Sequence, residues 1–447
     1  MKIKKVAVKN FKCFKDAELD FSSLNLFTGK NSSGKSSMLN AILAIVQSYS
    51  EFPFSLSSNG KYVIMGDYYE FVRKHRLENP INIDIVLEDK DNEITINTMW
   101  ENDESTNMPS LKHLEAVSKF IQLSILKDDK YNIKLHFNEE LFNKSEGFKA
   151  FQLVVPFIHQ LEEDADKVQT KAITKEKTDY KNLNNTTTFS IGNIRQMDSV
   201  LTEQKQFTLS FALALMTSTL RQYESNFNYI SSFRMKPERT YTQRSQGSLV
   251  SPNGDYTIDQ IFQWNVKKSP KYKELVKELK HLGLLNNLTI KKFRGGRYEV
   301  RITTRSPGSW ASIVDVGFGI SQFLPIIVSD LQLTKGSTLM IDQPEIHLHP
   351  SAQVLLTDYL LRQIKEKNKI YFIETHSEYL LNRVRAAIVK GTIDPNLVKV
   401  YYFENQGDNT EIYRIKFTKD GKIVDAPQGF FDTYLMDIMD IAISAVH

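Results

Sequence analysis

Residues 29 to 36 read GKNSSGKS, a pattern of the form GxxxxGK[ST] set between an apolar run, LNLFT at 24 to 28, and a helical run, MLNAILAIVQ at 38 to 47. Glycines at the two ends let backbone N–H groups turn inward around an anion, and the N-terminus of the following helix adds the positive end of its dipole. A strand, a loop of this kind and a helix in succession predict a phosphate cradle. Lys35 is then expected to reach the outer phosphates of a nucleotide and Ser36 to ligate Mg²⁺, with Gly29, Asn31, Gly34 and Ser37 completing the loop. An ordinary Gly/Ser surface loop is the weaker alternative, because the flanking strand and helix are both in place.

The rest of the chain alternates the same two kinds of element. Residues 3 to 8 and 17 to 21 suggest a hairpin, and INIDIVL at 81 to 87 and ITINTMW at 94 to 100 read as further strands. From 228 onward come NYISSFR, helices around YTIDQIFQW and KYKELVKELKHL, and strand YEVRITT. A glycine turn then opens a helix at DVGFGISQFLPIIVSDLQL, followed by STLMID, SAQVLLTDYLLRQIKEK, KIYFIE and SEYLLNRVRAAIV. Strands and helices at this spacing predict an α/β fold with a mainly parallel sheet and a ligand at the carboxyl ends of its strands. Between 101 and 227 the reading differs: LKHLEAVSKFIQLSIL and QFTLSFALALMTSTLRQY read as helices, YNIKLHF as a strand, and 164 to 188 as a polar loop. The expected organisation is an N-terminal lobe at 1–100, a mostly helical insertion at 101–227 and a C-terminal lobe at 228–447.

Composition narrows the class. A net charge of +4 permits nucleic-acid binding without arguing for it, since a phosphate-tracking surface is a local patch. The single cysteine, Cys13, excludes an internal disulfide and an all-cysteine zinc site, and it suits a reducing cytoplasm. The apolar runs FALALM and FQLVVPFI fall well short of the ~20 residues that cross a bilayer, and the start of the chain has no secretory pattern. A cytoplasmic protein without a membrane partner is expected.

The second chemistry-bearing stretch is TLMIDQPEIHLHP at 338 to 350. Asp342, at a strand end, is placed to hold Mg²⁺ opposite Ser36; a plain strand-end cap is the alternative. His347 and His349 beside Glu345 resemble metal-ligand spacing, but no third and fourth ligands stand out in the sequence.

Taken together, GKNSSGKSS, GFGISQ at 317 to 322, DQPEIHLHP at 342 to 350 and ETHSEYLL at 374 to 381 resemble the P-loop, signature, Walker B with D-loop, and His-switch of ABC-type AAA-family ATPases. The resemblance is to the RecF, SMC and OLD group, and within it to the branch with a DUF3696-like C-terminus, where a GFF element such as GFFDTYL at 429 to 435 recurs. It covers residues 1 to about 100 and 228 to 447, not the insertion. It implies an ABC-type head that binds ATP and Mg²⁺ and works as a head-to-head dimer or higher oligomer. Ser321, Gly317 and Gly319 of one copy would then face the nucleotide of the other, and His376 would sense the γ-phosphate.

One departure matters. The wider family carries a glutamate directly after the Walker B aspartate, and here that place is Gln343. Glutamine can orient a water but cannot accept its proton. Hydrolysis is therefore expected to be slow, to use Glu345 as base, or to need a partner.

Two basic stretches stand apart from these motifs. KKFRGGR at 291 to 297 either grips a phosphate backbone or forms a solvated hairpin tip. Arg234 and Arg239 in SSFRMKPERTY are expected near the nucleotide or the dimer interface, with solvated surface charges as the alternative. The family resemblance extends to anti-phage defence ATPases of PARIS or Septu type, in which the ATPase controls a separate toxin or nuclease. A built-in nuclease is not expected, because no DxD pair follows His376, only Asp437 and Asp440. A RecF-like DNA-repair ATPase and an ATP-gated scaffold with little turnover are the competing expectations.

Overall fold

A computed structural model describes residues 1–49, 55–89, 92–119, 121–137, 186–191, 207–244, 249–305, 308–427 and Phe430. Strands β1 (Lys2–Phe11) and β2 (Phe14–Asp20) form the expected hairpin, turning through Lys12, whose φ is 48°. Strand β3 (Leu24–Gly29) is buried along its whole length and runs into the glycine loop and helix α1 (Lys35–Ser48). Strands β4 (Ile81–Asp89), β5 (Asn92–Asn102), β6 (Pro109–Val117), β7 (Ile121–Lys127), β8 (Tyr131–Phe137) and β9 (Thr186–Ile191) follow, and then helix α2 (Phe207–Ser225). These strands extend the first hairpin into one antiparallel sheet of order β2-β1-β4-β5-β6-β7-β8-β9.

The segment LKHLEAVSKFIQLSIL is therefore corrected from helix to the strand pair β6 and β7. Its helical look comes from a bulge: Trp100 pairs with Leu111 and Met99 with His113, so one extra residue puts Leu111 and Leu114 on the same buried face at a spacing of three. Downstream the alternation is plain, with Ile121, Leu123 and Ile125 buried in succession. The helix expected at QFTLSFALALMTSTLRQY is α2. Residues 138–185 and 192–206, and with them FQLVVPFI and most of the polar stretch, lie outside the described residues, as do Asp437 and Asp440.

The second half builds the parallel sheet. Strands β10 (Phe227–Ile230) and β11 (Tyr241–Thr242) lead to helices α3 (Thr257–Val266) and α4 (Pro270–His281), then to β12 (Asn287–Lys292), β13 (Arg297–Thr303) and β14 (Ala311–Ser312). KKFRGGR is the tip of the β12–β13 hairpin. Helix α5 (Phe318–Gln332), strand β15 (Thr338–Asp342), helix α6 (Pro350–Lys367), strand β16 (Ile370–Glu374) and helix α7 (Glu378–Val389) come next. Strands β17 (Val398–Asn405), β18 (Thr410–Phe417) and β19 (Ile423–Val424) complete the described elements.

The sheet order is β10-β15-β16-β3-β17-β18-β19, with the first five strands parallel. The central strands β3, β15 and β16 are mostly apolar and almost wholly buried because both faces of the sheet are covered there. One face, with Phe27, Phe372 and Phe403, packs with α1 against the antiparallel sheet; the other, with Leu26, Ile341 and Ile373, packs against α5, α6 and α7. The C-terminal ends of β15, β16 and β3 consequently lie side by side, and Asp342 is in register with Glu374. Among the described residues no helix is long and apolar enough to cross a membrane.

Candidate nucleotide site

Gly29 ends β3 with φ at 134°, and a Cβ there would lie 2.2 Å from the carbonyl oxygen of Phe403 on β17. Only glycine lets the chain turn off the sheet at this point. Gly34 precedes α1 with φ at 100°, and its missing Cβ leaves room for Cys13 Sγ, which would otherwise be 2.7 Å away. The lone cysteine thus packs beneath the loop. Asn31 and Ser36 are exposed, Ser37 is half-buried, and Ser33 Oγ is buried without a hydrogen-bond partner.

Lys35, the first residue of α1, is buried, and its ammonium donates to the carbonyl oxygens of Gly29 at 3.1 Å and Lys30 at 2.8 Å. Burial lowers its pKa, and the charge of Glu374 opposes that shift. Ser36 Oγ donates to Glu374 Oε2 at 2.8 Å. Glu374 itself is buried at the end of β16, which raises its pKa against the opposing pull of Ser36 and Lys35.

Asp342 accepts a 2.5 Å bond from the Tyr229 hydroxyl on Oδ2, while its Oδ1 is buried without a partner. Burial pushes its carboxyl up to about 7, the Tyr229 bond and Arg234 opposing and the charge of Glu374 adding. Gln343 turns the chain with φ at 43° and donates its N–H to the carbonyl of Glu374 at 2.8 Å. Glu345 Oε1 accepts from the backbone N–H of His376 at 2.7 Å, and Oε2 is buried without a partner. Burial raises the pKa of Glu345, and partial desolvation lowers that of the exposed His376, where the charge of Lys35 acts in the same direction.

Glu345 and His376 open on a cleft of about 620 Å³ lined also by Gln353, Glu378 and Tyr379. Arg234 is buried beneath this corner and donates to the carbonyl oxygens of Asp342 at 2.8 Å and Gln343 at 3.2 Å, leaving Nε and Nη1 without partners. Arg239 is a surface residue paired with Asp315 at 2.6 Å. His349 caps α6, its side chain accepting from the N–H of Ser351.

The chain thus brings together most of the residues expected from the motifs: the glycine loop, Lys35, Ser36, Asp342, Gln343, Glu345 and His376. The GFGISQ segment stands apart. Gly317 caps α5 and Gly319 rests against the carbonyl of His347, whereas Ser321 lines a different cleft with Lys236, Arg244, Tyr256 and Pro325. Sequence reasoning passed over Glu374 and Tyr229. Glu374 was in view, as the last residue of a fully apolar strand in a parallel pattern, the same signal that singled out Asp342.

A phosphate cradle at the end of one parallel strand, with carboxylates ending the adjacent strand and the strand beyond it, is the arrangement of the P-loop class of α/β proteins. The chain belongs to the AAA ATPase domain family, whose model matches residues 1–381, and residues 393–441 match a family described as a protein of unknown function, DUF3696. Among curated proteins there is no match. Similar solved structures include an SMC head domain from Thermotoga maritima, 10% identical with a TM-score of 0.42, covering 92% of this chain and 98% of that one. An SMC head bound to the C-terminal winged-helix domain of ScpA is 11% identical with a TM-score of 0.44, covering 94% and 99%. An SMC head with an extended coiled coil, bound to the C-terminal domain of ScpA from Pyrococcus furiosus, is 12% identical with a TM-score of 0.34, covering 100% and 99%.

Proposed function

We propose that this chain binds ATP with magnesium and hydrolyses it slowly, with Glu345 as the base and two copies closing around the nucleotide. The observation that carries this reading is the state of Glu345, whose one oxygen is fixed by the His376 N–H at 2.7 Å while the other is sequestered and unpartnered beside the D-loop. Gln343, next to Asp342, lacks the carboxylate that could take a proton.

The residues present fit the implied cation and phosphates. Asp342 Oδ1 and Ser33 Oγ are orphaned, and the Lys35 ammonium rests on backbone carbonyls that a phosphate would replace. Ser36 and Asp342 would hold magnesium, which would neutralise charge on the phosphates. Lys35, Gly29, Asn31, Gly34, Ser36 and Ser37 would cradle those phosphates, and Gly317, Gly319 and Ser321 would meet the nucleotide held by a second copy. His376 would orient Glu345 through its backbone and sense the outer phosphate with its ring.

Glu345→Gln in the full-length protein is expected to lower turnover on the order of a hundredfold or more while ATP binding persists. Unchanged turnover in a filter-purified, single-peak preparation would remove Glu345 from the role of base. Gln343 also supports a second reading, an ATP-gated scaffold in which binding does the switching; wild-type turnover indistinguishable from background, with tight ATP binding, would favour it.

At the level of the cell, the resemblance of the four motifs to PARIS- and Septu-type ATPases supports a cytoplasmic sensor or scaffold that controls a separate effector, a toxin or nuclease, in bacterial anti-phage defence. Phage plating on cells with and without the intact gene tests this, and equal plaque counts across a broad phage panel would count against it. A DNA-stimulated ATPase with no effector would point instead to a RecF-like repair role.

A further inference from the structure

We propose that Glu374 is a second acidic residue of the magnesium site, the carboxylate that accepts the hydrogen bond of the Ser36 hydroxyl and so leaves a lone pair of that oxygen free for the cation. The inference rests on the nucleotide reading above and adds to it a residue that none of the four motifs assigns. A hydroxyl that ligates a cation directs a lone pair at the metal, and its proton must go to an acceptor on the protein side. The acceptor in this structure is Glu374, whose Oε2 receives the Ser36 Oγ–H at 2.8 Å. Asp342 is differently engaged: its Oδ2 accepts from Tyr229 at 2.5 Å, and its buried Oδ1 has no partner.

The register explains why these groups meet. Asp342 and Glu374 are cross-strand partners at the last positions of β15 and β16, and β16 lies between β15 and β3, the strand that leads into the loop carrying Ser36. Charge points the same way. Three carboxylates, Asp342, Glu345 and Glu374, stand at this corner with two cations, Lys35 and Arg234, whose hydrogen bonds go to backbone carbonyls. Buried carboxylates without a paired cation are unfavourable, and a hard divalent ion with oxygen ligands is the chemistry that relieves them. The backbone carbonyl of Glu374 also accepts from the N–H of Gln343, so the strand end that supplies the acceptor fixes the start of the D-loop as well.

The test is the affinity of the full-length protein for a fluorescent ATP analogue, measured in EDTA and in saturating magnesium, for wild type and Glu374→Gln. Glutamine keeps an acceptor for Ser36 and removes the charge. The ratio of the two dissociation constants, which isolates the contribution of the cation, is expected to fall by about tenfold or more in the variant. A parallel titration with Mn²⁺ followed by electron paramagnetic resonance is expected to show weaker nucleotide-dependent metal binding by a similar factor. A purely structural role would weaken both nucleotide arms alike, and an unchanged ratio would overturn the assignment. Wild-type protein that binds the analogue in neither condition would instead overturn the nucleotide reading beneath it.

Discussion

Arg234 stands at the meeting point of the site's backbone and its charges. Its guanidinium reaches across the end of β15 to two carbonyls, and burial brings its pKa down to about 10, with Glu345 and Asp342 opposing that shift. It stays cationic at neutral pH. Glu345 Oε2, Asp342 Oδ1 and two Arg234 nitrogens are all buried without partners, so the guanidinium acts on these carboxylates through space and not through direct bonds. Arg234→Ala leaves two carbonyls and two carboxylates uncompensated, and a loss on the order of 3 kcal/mol is expected in a urea titration. Arg234→Lys should recover only part of this, because a more strongly hydrated ammonium on a differently shaped stem does not reproduce the guanidinium Nη2 that donates to both carbonyls. A fully stable alanine variant would show that the guanidinium is dispensable here. In the sequence Arg234 was one basic residue among several, since nothing local marks it as buried, whereas Lys35 and Asp342 announced themselves through fixed spacing to a strand and a helix. The pairing of Glu374 with Ser36 was hidden for a different reason: the two are 338 residues apart along the chain, and only strand order joins them.

At the scale of elements, the helix that Gly317 caps is tied to the strand bearing Glu374 by one buried acid. Asp330, near the end of α5, accepts from Tyr359 of α6 at 2.6 Å and from Tyr371 of β16 at 2.9 Å, and Lys369 lies 3.4 Å away with its Nζ donating to the Asp330 carbonyl. Asp330 and Lys369 are almost entirely buried, so each depends on the other. Removing one partner of such a pair strands the other in a low-dielectric interior. Asp330→Asn is expected to lower stability by about 3 kcal/mol, read as a shift of the denaturation midpoint, while breaking the surface pair Arg239–Asp315 should move the midpoint far less. Equal small effects would mean that the buried network is plastic. The helices and parallel strands of this half were legible because each carries one unbroken period. The β6–β7 pair was not, because a single extra residue at the bulge changed a period of two into an apparent period of three to four.

For the molecule as a whole, the question is what holds the antiparallel sheet to the parallel one across the α1 layer. Much of it is apolar, since one core contains Phe21 and Leu19 of the first sheet together with Phe27, Phe372 and Tyr401 of the second. One polar link among the described residues is Asp20, the last residue of β2. Its Oδ2 accepts from Lys399 at 2.6 Å, its Oδ1 accepts from the Tyr401 hydroxyl at 2.8 Å, and Arg414 lies 3.1 Å from Oδ1. Burial alone would raise the Asp20 pKa, but the bonds from Lys399 and Tyr401 and the charges of Lys399 and Arg414 outweigh it and set the carboxyl below its ordinary 3.8. A depressed carboxylate pKa means that the unfolded chain binds the proton more readily than the folded one, so this contribution is present above pH 3.8 and is lost as the pH falls through the folded value. Because Asp20 is nearly half exposed, solvent screening limits the link to about 1 kcal/mol. Asp20→Asn should therefore destabilise the protein by that amount at pH 7, by less as the pH drops below 3.8, and thermal melts across pH 3 to 7 measure the convergence. Curves that stay parallel down to the lowest pH would assign the joint between the sheets to apolar packing alone.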